Sequence, residues 1–167
     1  MSDVDGDIQR IRQKAQVNAV ELNLVVSIEL IRMFERQSGI VFPEELTRFY
    51  TEVGNGCKMI DGFYLRKFEE LEIDIRQTKE EFPFTHYWIW EDNPDGGHIA
   101  DTYKGNIEVI DIGCGQTWNI IMTGKERGQM WWFCGEGIQP CAPRRAFLSW
   151  FEYWLDGNGD YFSEFKM

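Results

Sequence analysis

The chain has 167 residues, with 28 Asp and Glu against 17 Lys and Arg for a formal net charge of -11, a hydrophobic fraction of 43% and 15% aromatic residues. A chain of this length fits one domain that buries roughly 70% of the surface it exposes when unfolded, and its apolar content excludes a disordered acidic tail. The charge repels phosphate backbones and anionic lipid, which argues against nucleic acid or membrane as the direct ligand. It is compatible either with a basic partner or with solubility alone.

In chain order, Met1 to Asp7 carries Asp3, Asp5 and Asp7 and no apolar stretch, so no secretory leader is expected. Leu22 to Ile31 is broken by Asn23, Ser27 and Glu29 and is too short to span a bilayer. A soluble, cytoplasmic protein is the expectation. Residues 1–26 read as an N-terminal extension or helix, with Asn18 and Glu21 spaced like a capping box. A helix is predicted over Ile28 to Ser38, capped by Ser27, with Ile28, Ile31 and Phe34 on one face and Gly39 as its left-handed stop. The next begins at Pro43, buries Leu46, Phe49, Tyr50 and Val53, and ends at Gly54, Asn55 and Gly56. That Gly-Asn-Gly follows a helix, whereas phosphate loops precede one.

Beyond Cys57 the texture turns to strands. Phe63 to Leu65, Tyr87 to Trp90, Ile107 to Ile112, Trp118 to Met122 and Gln129 to Phe133 are strand-sized. The short connections between the last three predict an antiparallel meander. Leu71, Ile73 and Ile75 alternate like a half-exposed strand before a helix-like Thr78 to Glu81, and Glu91 to Asn106 reads as a long surface loop. Pro143 opens a last helix with Phe147, Leu148, Phe151, Trp154 and Leu155 as its stripe, and 157–167 is read as a tail. Helices at the two ends and strands between them predict an α+β fold, with helices packed on a central, mostly antiparallel sheet.

The residues that bear chemistry form no complete set. Cys57, Cys114, Cys134 and Cys141 contain no C-x-x-C pair and read as reduced thiols, and His86 and His98 stand far apart, so no metal or cofactor is expected. A nucleophilic cysteine needs an adjacent base; Cys114 and Cys141 are the two that turn residues could expose. The pairs Glu108 and Asp111, Glu91 and Asp92, and Asp92 and Asp95 are formally available for glycoside hydrolysis, but 28 acids produce such pairs by chance. Gly113-Cys114-Gly115 lacks the third glycine of a dinucleotide fingerprint and runs into a strand rather than a helix. Arg10, Arg12 and Lys14, and Arg144 and Arg145, are small basic groups best explained as solvated faces.

The ordered series is more informative. Ile28-Glu29 to Phe34-Glu35, Gly39-Ile40-Val41-Phe42-Pro43-Glu44-Glu45-Leu46, Phe49-Tyr50 and Gly54-Asn55-Gly56 resemble the N-terminal signature of the SUKH superfamily, which includes fungal cell-wall glucan-synthesis regulators and bacterial immunity proteins. Ile112-Gly113-Cys114-Gly115-Gln116, Asn119-Ile120-Ile121, Gly128-Gln129-Met130-Trp131-Trp132-Phe133 and Phe147-Leu148 are similar to its later strands and closing helix. Residues 27–156 carry the similarity, with Phe42 standing where leucine is more usual. The resemblance implies no cofactor and a non-catalytic protein that binds and neutralises a cognate toxin, frequently a nuclease. For such a basic toxin the acids Glu69, Glu70, Glu72, Asp74, Glu91, Asp92 and Asp95 are the expected contacts. The alternatives are a regulatory scaffold in cell-wall synthesis and a small hydrolase.

Overall fold

The computed structural model describes residues 3–92 and 98–166. Among them are five α-helices and a five-stranded antiparallel sheet, with a second sheet of two short strands, an α+β fold with one main core.

Helix α1, Val4–Val17, starts at Asp3, whose carboxylate accepts the Gly6 N–H at 3.1 Å, and buries Ile8, Ile11 and Ala15. Each buried isoleucine contributes about 1.5–3 kcal/mol of transfer free energy, so the segment read as a possible extension belongs to the core. Asn18 is the C-cap of this helix rather than the N-cap of a following one, because the apolar stripe lies before it; Ala19 then turns with φ 52°. The chain runs on in extended form, and Leu22 bridges Cys57.

Helix α2, Ile28–Ser38, begins and ends as expected: Ser27 Oγ accepts the Glu29 N–H at 3.2 Å, and Gly39 closes it with φ 77°. Its inner face holds Ile31 and half-buried Phe34, while Ile28 is exposed. In α3, Glu44–Glu52, Pro43 stands at the cap rather than the first turn, and Leu46, Phe49 and Tyr50 are buried. The Gly54 to Gly56 turn holds a buried Asn55 whose Oδ1 accepts the Phe68 N–H at 2.7 Å, which makes the turn a structural joint.

The small sheet pairs β1, Cys57–Lys58, with β2, Tyr64–Leu65. The alternation at Leu71, Ile73 and Ile75 does not become a strand. A 3-10 turn at Phe68–Glu70 precedes it, and α4, Ile75–Lys79, begins at Ile75 because the Asp74 carboxylate caps the Gln77 N–H at 3.0 Å. The main sheet has the order β3-β7-β6-β5-β4, from β3 Trp88–Ile89, β4 Asn106–Gly113, β5 Gln116–Ile121, β6 Met130–Cys134 and β7 Gly137–Pro140. The predicted meander is β4 to β6. Strands β1 and β7 were not predicted; β7 contains glycine and proline, both depleted in strands, and exists through its pairing with β6 and β3.

Helix α5, Phe147–Leu155, starts four residues after Pro143, with Ala146 as its N-cap. The stretch read as a tail is anchored: Tyr161 is 4% exposed, lies 4.9 Å from Trp118 ring to ring, and donates its hydroxyl to Trp150 O at 3.1 Å. Among the described residues no helix is long and apolar enough to cross a membrane.

A charged lock holds α1 to α5. Arg10 reaches Glu152 at 2.5 Å, and Lys14 reaches Glu152 at 2.8 Å and Asp156 at 2.7 Å. The Arg10 hydrogen bond, then that of Lys14, holds the Glu152 carboxyl down to about 2, against partial desolvation. A depressed carboxyl stabilises the fold above the ordinary carboxylate range, and that stability is lost as pH falls through about 2. In acid titrations of unfolding, the wild type is expected to lose up to about 1 kcal/mol relative to Glu152→Gln, the ceiling for solvent-screened pairs. Parallel acid profiles for the two proteins would refute it. The raised carboxyls of Glu45 and Glu108, whose first cause is burial, act in the opposite direction, but both proteins share them.

Candidate functional site

Strand alternation divides the sheet into two faces. Ile107, Ile110, Trp118, Ile120 and Met130 point toward the helices and join the main core. The opposite face follows from cross-strand register: Glu108 pairs with Asn119 and Asn119 with Trp131, while Thr117 pairs with Phe133, Phe133 with Ile138 and Ile138 with Trp88. Among the described residues no α-helix packs across that face in the way α3 and α5 pack on the main core. Its β7 side is closed by an aromatic cluster, in which Phe82 meets Trp131 at 5.0 Å and Phe84 meets Trp88 at 6.0 Å. Trp90 stands at the margin, 43% exposed.

The β4 side of the same face is a polar pocket of about 330 Å³. Asn106, Glu108, Thr117, Asn119 and Phe133 form its floor, Glu72, Asp74, Gln77 and Thr78 one wall, and Thr102 and Tyr103 the other. An irregularity in β4 shapes this floor. Residues three apart on a regular strand face opposite sides, but the register shift between Glu108 and Ile110 lets Val109 and Ile110 both be buried and puts Asp111 back on the side of Glu108.

Hydrogen bonds hold the floor rigid. Thr117 Oγ1 donates to Asn119 Oδ1 at 2.7 Å, Asn119 Nδ2 donates to Asn106 Oδ1 at 2.8 Å, and Asn106 Nδ2 donates to Thr102 O and Lys104 O, each at 2.9 Å. Glu108 receives an Arg66 guanidinium N–H at 2.6 Å. Burial nonetheless pushes its carboxyl above the ordinary range, with Arg66 opposing and Asp111 and Glu72 adding to the rise. The pocket thus gathers three carboxyl groups, from Glu72, Asp74 and Glu108, on its lining.

Of the acids expected from the sequence, Glu72 and Asp74 line this pocket. Glu69 is turned away: its Oε2 accepts the Asn55 side-chain N–H at 2.9 Å, a bond that is the first cause of its lowered carboxyl. Glu70 is exposed on the same 3-10 turn. Glu91 is exposed on a separate turn, Trp90–Asp92, and does not line the pocket. Asp95 lies outside the described residues, and of Asp92 only the backbone is described. Among the described residues of the stretch expected as a surface loop, 3-10 turns lie at Trp90–Asp92 and Ala100–Tyr103, the second supplying the other wall.

Sequence reasoning missed Thr78, Asn119 and Tyr103, and it named Glu108 only as a carboxylate paired with Asp111, not as a neighbour of Glu72 and Asp74. A polar Asn119 between Trp118 and Ile120 in an apolar strand was the available signal, because a polar residue buried in a strand requires partners.

Two of the four cysteines, Cys57 and Cys141, are buried and so placed unfavourably for nucleophilic chemistry. Cys141, expected in an exposable turn, is fully buried because its segment packs beneath Tyr161, and burial pushes its thiol and that of Cys57 up to about 12. Cys114 is exposed at the β4–β5 hairpin tip. His98 Nδ1 contacts Asp101 at 3.1 Å, and His86 packs on Tyr87. Among the described residues no group of His, Cys, Asp and Glu could hold a metal ion. A scan against protein-family models and searches of curated proteins and of solved structures return no match for this chain.

Proposed function

We propose that the chain is a non-catalytic protein-binding domain of SUKH-like kind, an immunity protein that neutralises a basic toxin by occluding its active face. The observation that carries this reading is the acid-lined pocket on the sheet face away from the main core, in a chain of net charge -11. Such a field draws a basic partner by long-range attraction, and a rigid set of carboxylates can stand in for a nucleic-acid backbone on a nuclease surface. Trp90, 43% exposed at the other margin of the same sheet face, supplies the kind of aromatic anchor that interfaces favour.

The test is co-purification with the product of the adjacent gene, combined with inhibition of that product's toxicity and association rates measured across salt. A complex is expected whose association slows by about tenfold or more when Glu70, Glu72 and Asp74 are reversed to lysine, with a matching loss of salt dependence. An acidic or neutral partner face, unchanged rates in the reversed variant, or multiple turnover of a substrate by the chain alone would overturn the proposal.

A further inference from the structure

We propose that the groove between α2 and α3 is a docking surface for an amphipathic peptide segment of a protein, one whose apolar side chains face α2 and whose carboxylate meets Arg127. The groove has a volume of about 730 Å³ and shares no residue with the acid-lined pocket, so this proposal stands apart from the toxin-binding reading. Its two walls differ in kind. Val26, Ile28, Val41 and Phe42 make one side apolar, with Val41 60% exposed, while Glu44, Thr47, Arg48, Thr51 and Glu52 make the other polar. Leu24, Val25, Leu30 and Met33, before and along α2, are exposed as well, and apolar surface gathered in this way marks interaction sites. An acyl chain would leave the polar wall without partners, whereas an extended peptide presents one apolar row of side chains and one polar row.

Two polar groups of the groove point to a ligand. Thr47 is 5% exposed and borders the groove, and its Oγ1 has no hydrogen-bond partner among the described residues. Thr51, one turn on, shows a common arrangement for a helical threonine, its Oγ1 donating to Thr47 O at 2.9 Å. A buried hydroxyl without a partner is costly, and the groove is the open space that Thr47 borders. The second group is Arg127, whose guanidinium donates to Met122 O and, at 3.0 Å, to Val41 O, but has no carboxylate within salt-bridge distance among the described residues. The acids around the groove are taken: Glu35 accepts from Arg32 at 2.6 Å and from the Phe42 N–H at 2.8 Å, while Arg48 holds Glu52 and lies 3.8 Å from Glu44. Arg127 is thus a cation left for an incoming anion, and its planar fork matches a carboxylate.

The experiment titrates the full ¹⁵N-labelled chain with a capped peptide that has valine at alternate positions, threonine between them and one central glutamate. Its counterparts carry glutamine or lysine in place of the glutamate, and decanoate supplies a carboxylate on an acyl chain. Saturable shifts are expected at Ile28, Val41, Thr47 and Gly128 with the glutamate peptide. Binding is expected to be about tenfold weaker with glutamine, the difference between a charge-assisted and a neutral hydrogen bond, and absent with lysine or decanoate. Arg127→Gln is expected to weaken the glutamate peptide to the level of the glutamine one and to leave the latter unchanged. Thr47→Val is expected to weaken both peptides several-fold while the unbound chain stays at least as stable in urea, because the hydroxyl removed has no partner there. Val41→Asp, at an exposed position whose carbonyl accepts from Arg127, is expected to abolish binding of the glutamate peptide, and it decides the matter where Arg127→Gln impairs folding. The proposal is overturned if no saturable shifts appear at these residues, if glutamine binds like glutamate, if decanoate binds more tightly than the peptide, if Arg127→Gln weakens both peptides equally, or if Thr47→Val or Val41→Asp changes nothing.

Discussion

Phe49→Ala is expected to lower the unfolding free energy by about 3–5 kcal/mol. Phe49 is fully buried on α3, and its ring centroid lies 4.7 Å from Phe151, 5.3 Å from Phe147 and 6.0 Å from Tyr50. Two of those neighbours belong to α5, so this ring joins the helices that cover the inner sheet face. Rings anchored on separate helices cannot collapse into the vacated space, and the cavity term adds to the lost transfer free energy. Against a typical total of about 5–15 kcal/mol, a loss of this size approaches the limit of folding. Urea unfolding is expected to show a lower midpoint at an unchanged slope, with Phe49→Leu costing much less. A shift below about 1 kcal/mol would mean that the α3 and α5 contact is looser than the ring geometry implies.

The second large effect is expected at the candidate site itself, from Gly105→Ala. Gly105 has φ 62°, its N–H donates to Gln77 O at 2.9 Å, and its carbonyl accepts the Met122 N–H at 2.7 Å. It thus ties α4, one pocket wall, to the end of β5. A Cβ there would lie 2.2 Å from Thr123 Oγ1, 2.6 Å from Phe82 N and 2.7 Å from Glu80 O, and two of these are backbone atoms that cannot rotate away. Overpacking of this kind costs about 1–3 kcal/mol, and the left-handed conformation adds about 1–2 kcal/mol. Gly115→Ala is the matched control: its φ is 74°, but its Cβ would meet nothing within 4 Å. Hydrogen exchange at the Gly105 and Met122 amides is expected to accelerate in the first variant and not in the second. Equal destabilisation of the two would show that backbone conformation alone, without the steric clash, sets the cost.

Helices α2 and α3 were legible because each carried several agreeing signals. Ser27 and Gly39 bracket α2, and Leu46, Phe49 and Tyr50 recur at helical spacing in α3, so local propensity and burial demanded the same structure. The β4 to β6 meander was legible for a similar reason, since short turns between β-branched and aromatic runs leave little choice but antiparallel pairing. Failures came where signals were short or in conflict. Leu71, Ile73 and Ile75 alternate as a strand would, but the Asp74 cap decides for a helix turn. Strand β7 has poor propensity and is made by its neighbours.

The sequence by itself determined the fold class, the helix limits set by Ser27 and Gly39, and the strong negative charge, because these depend on composition and on residues within a few positions of one another. Only the tertiary structure decided which acids lie together. Glu69 is drawn off by Asn55, whereas Glu72 and Asp74 meet Glu108 across the sheet face, and a register shift in β4 brings Asp111 to the same side. The physical reason is that strand register and bulges fix the side on which each side chain emerges, and register depends on pairing between segments far apart in the chain.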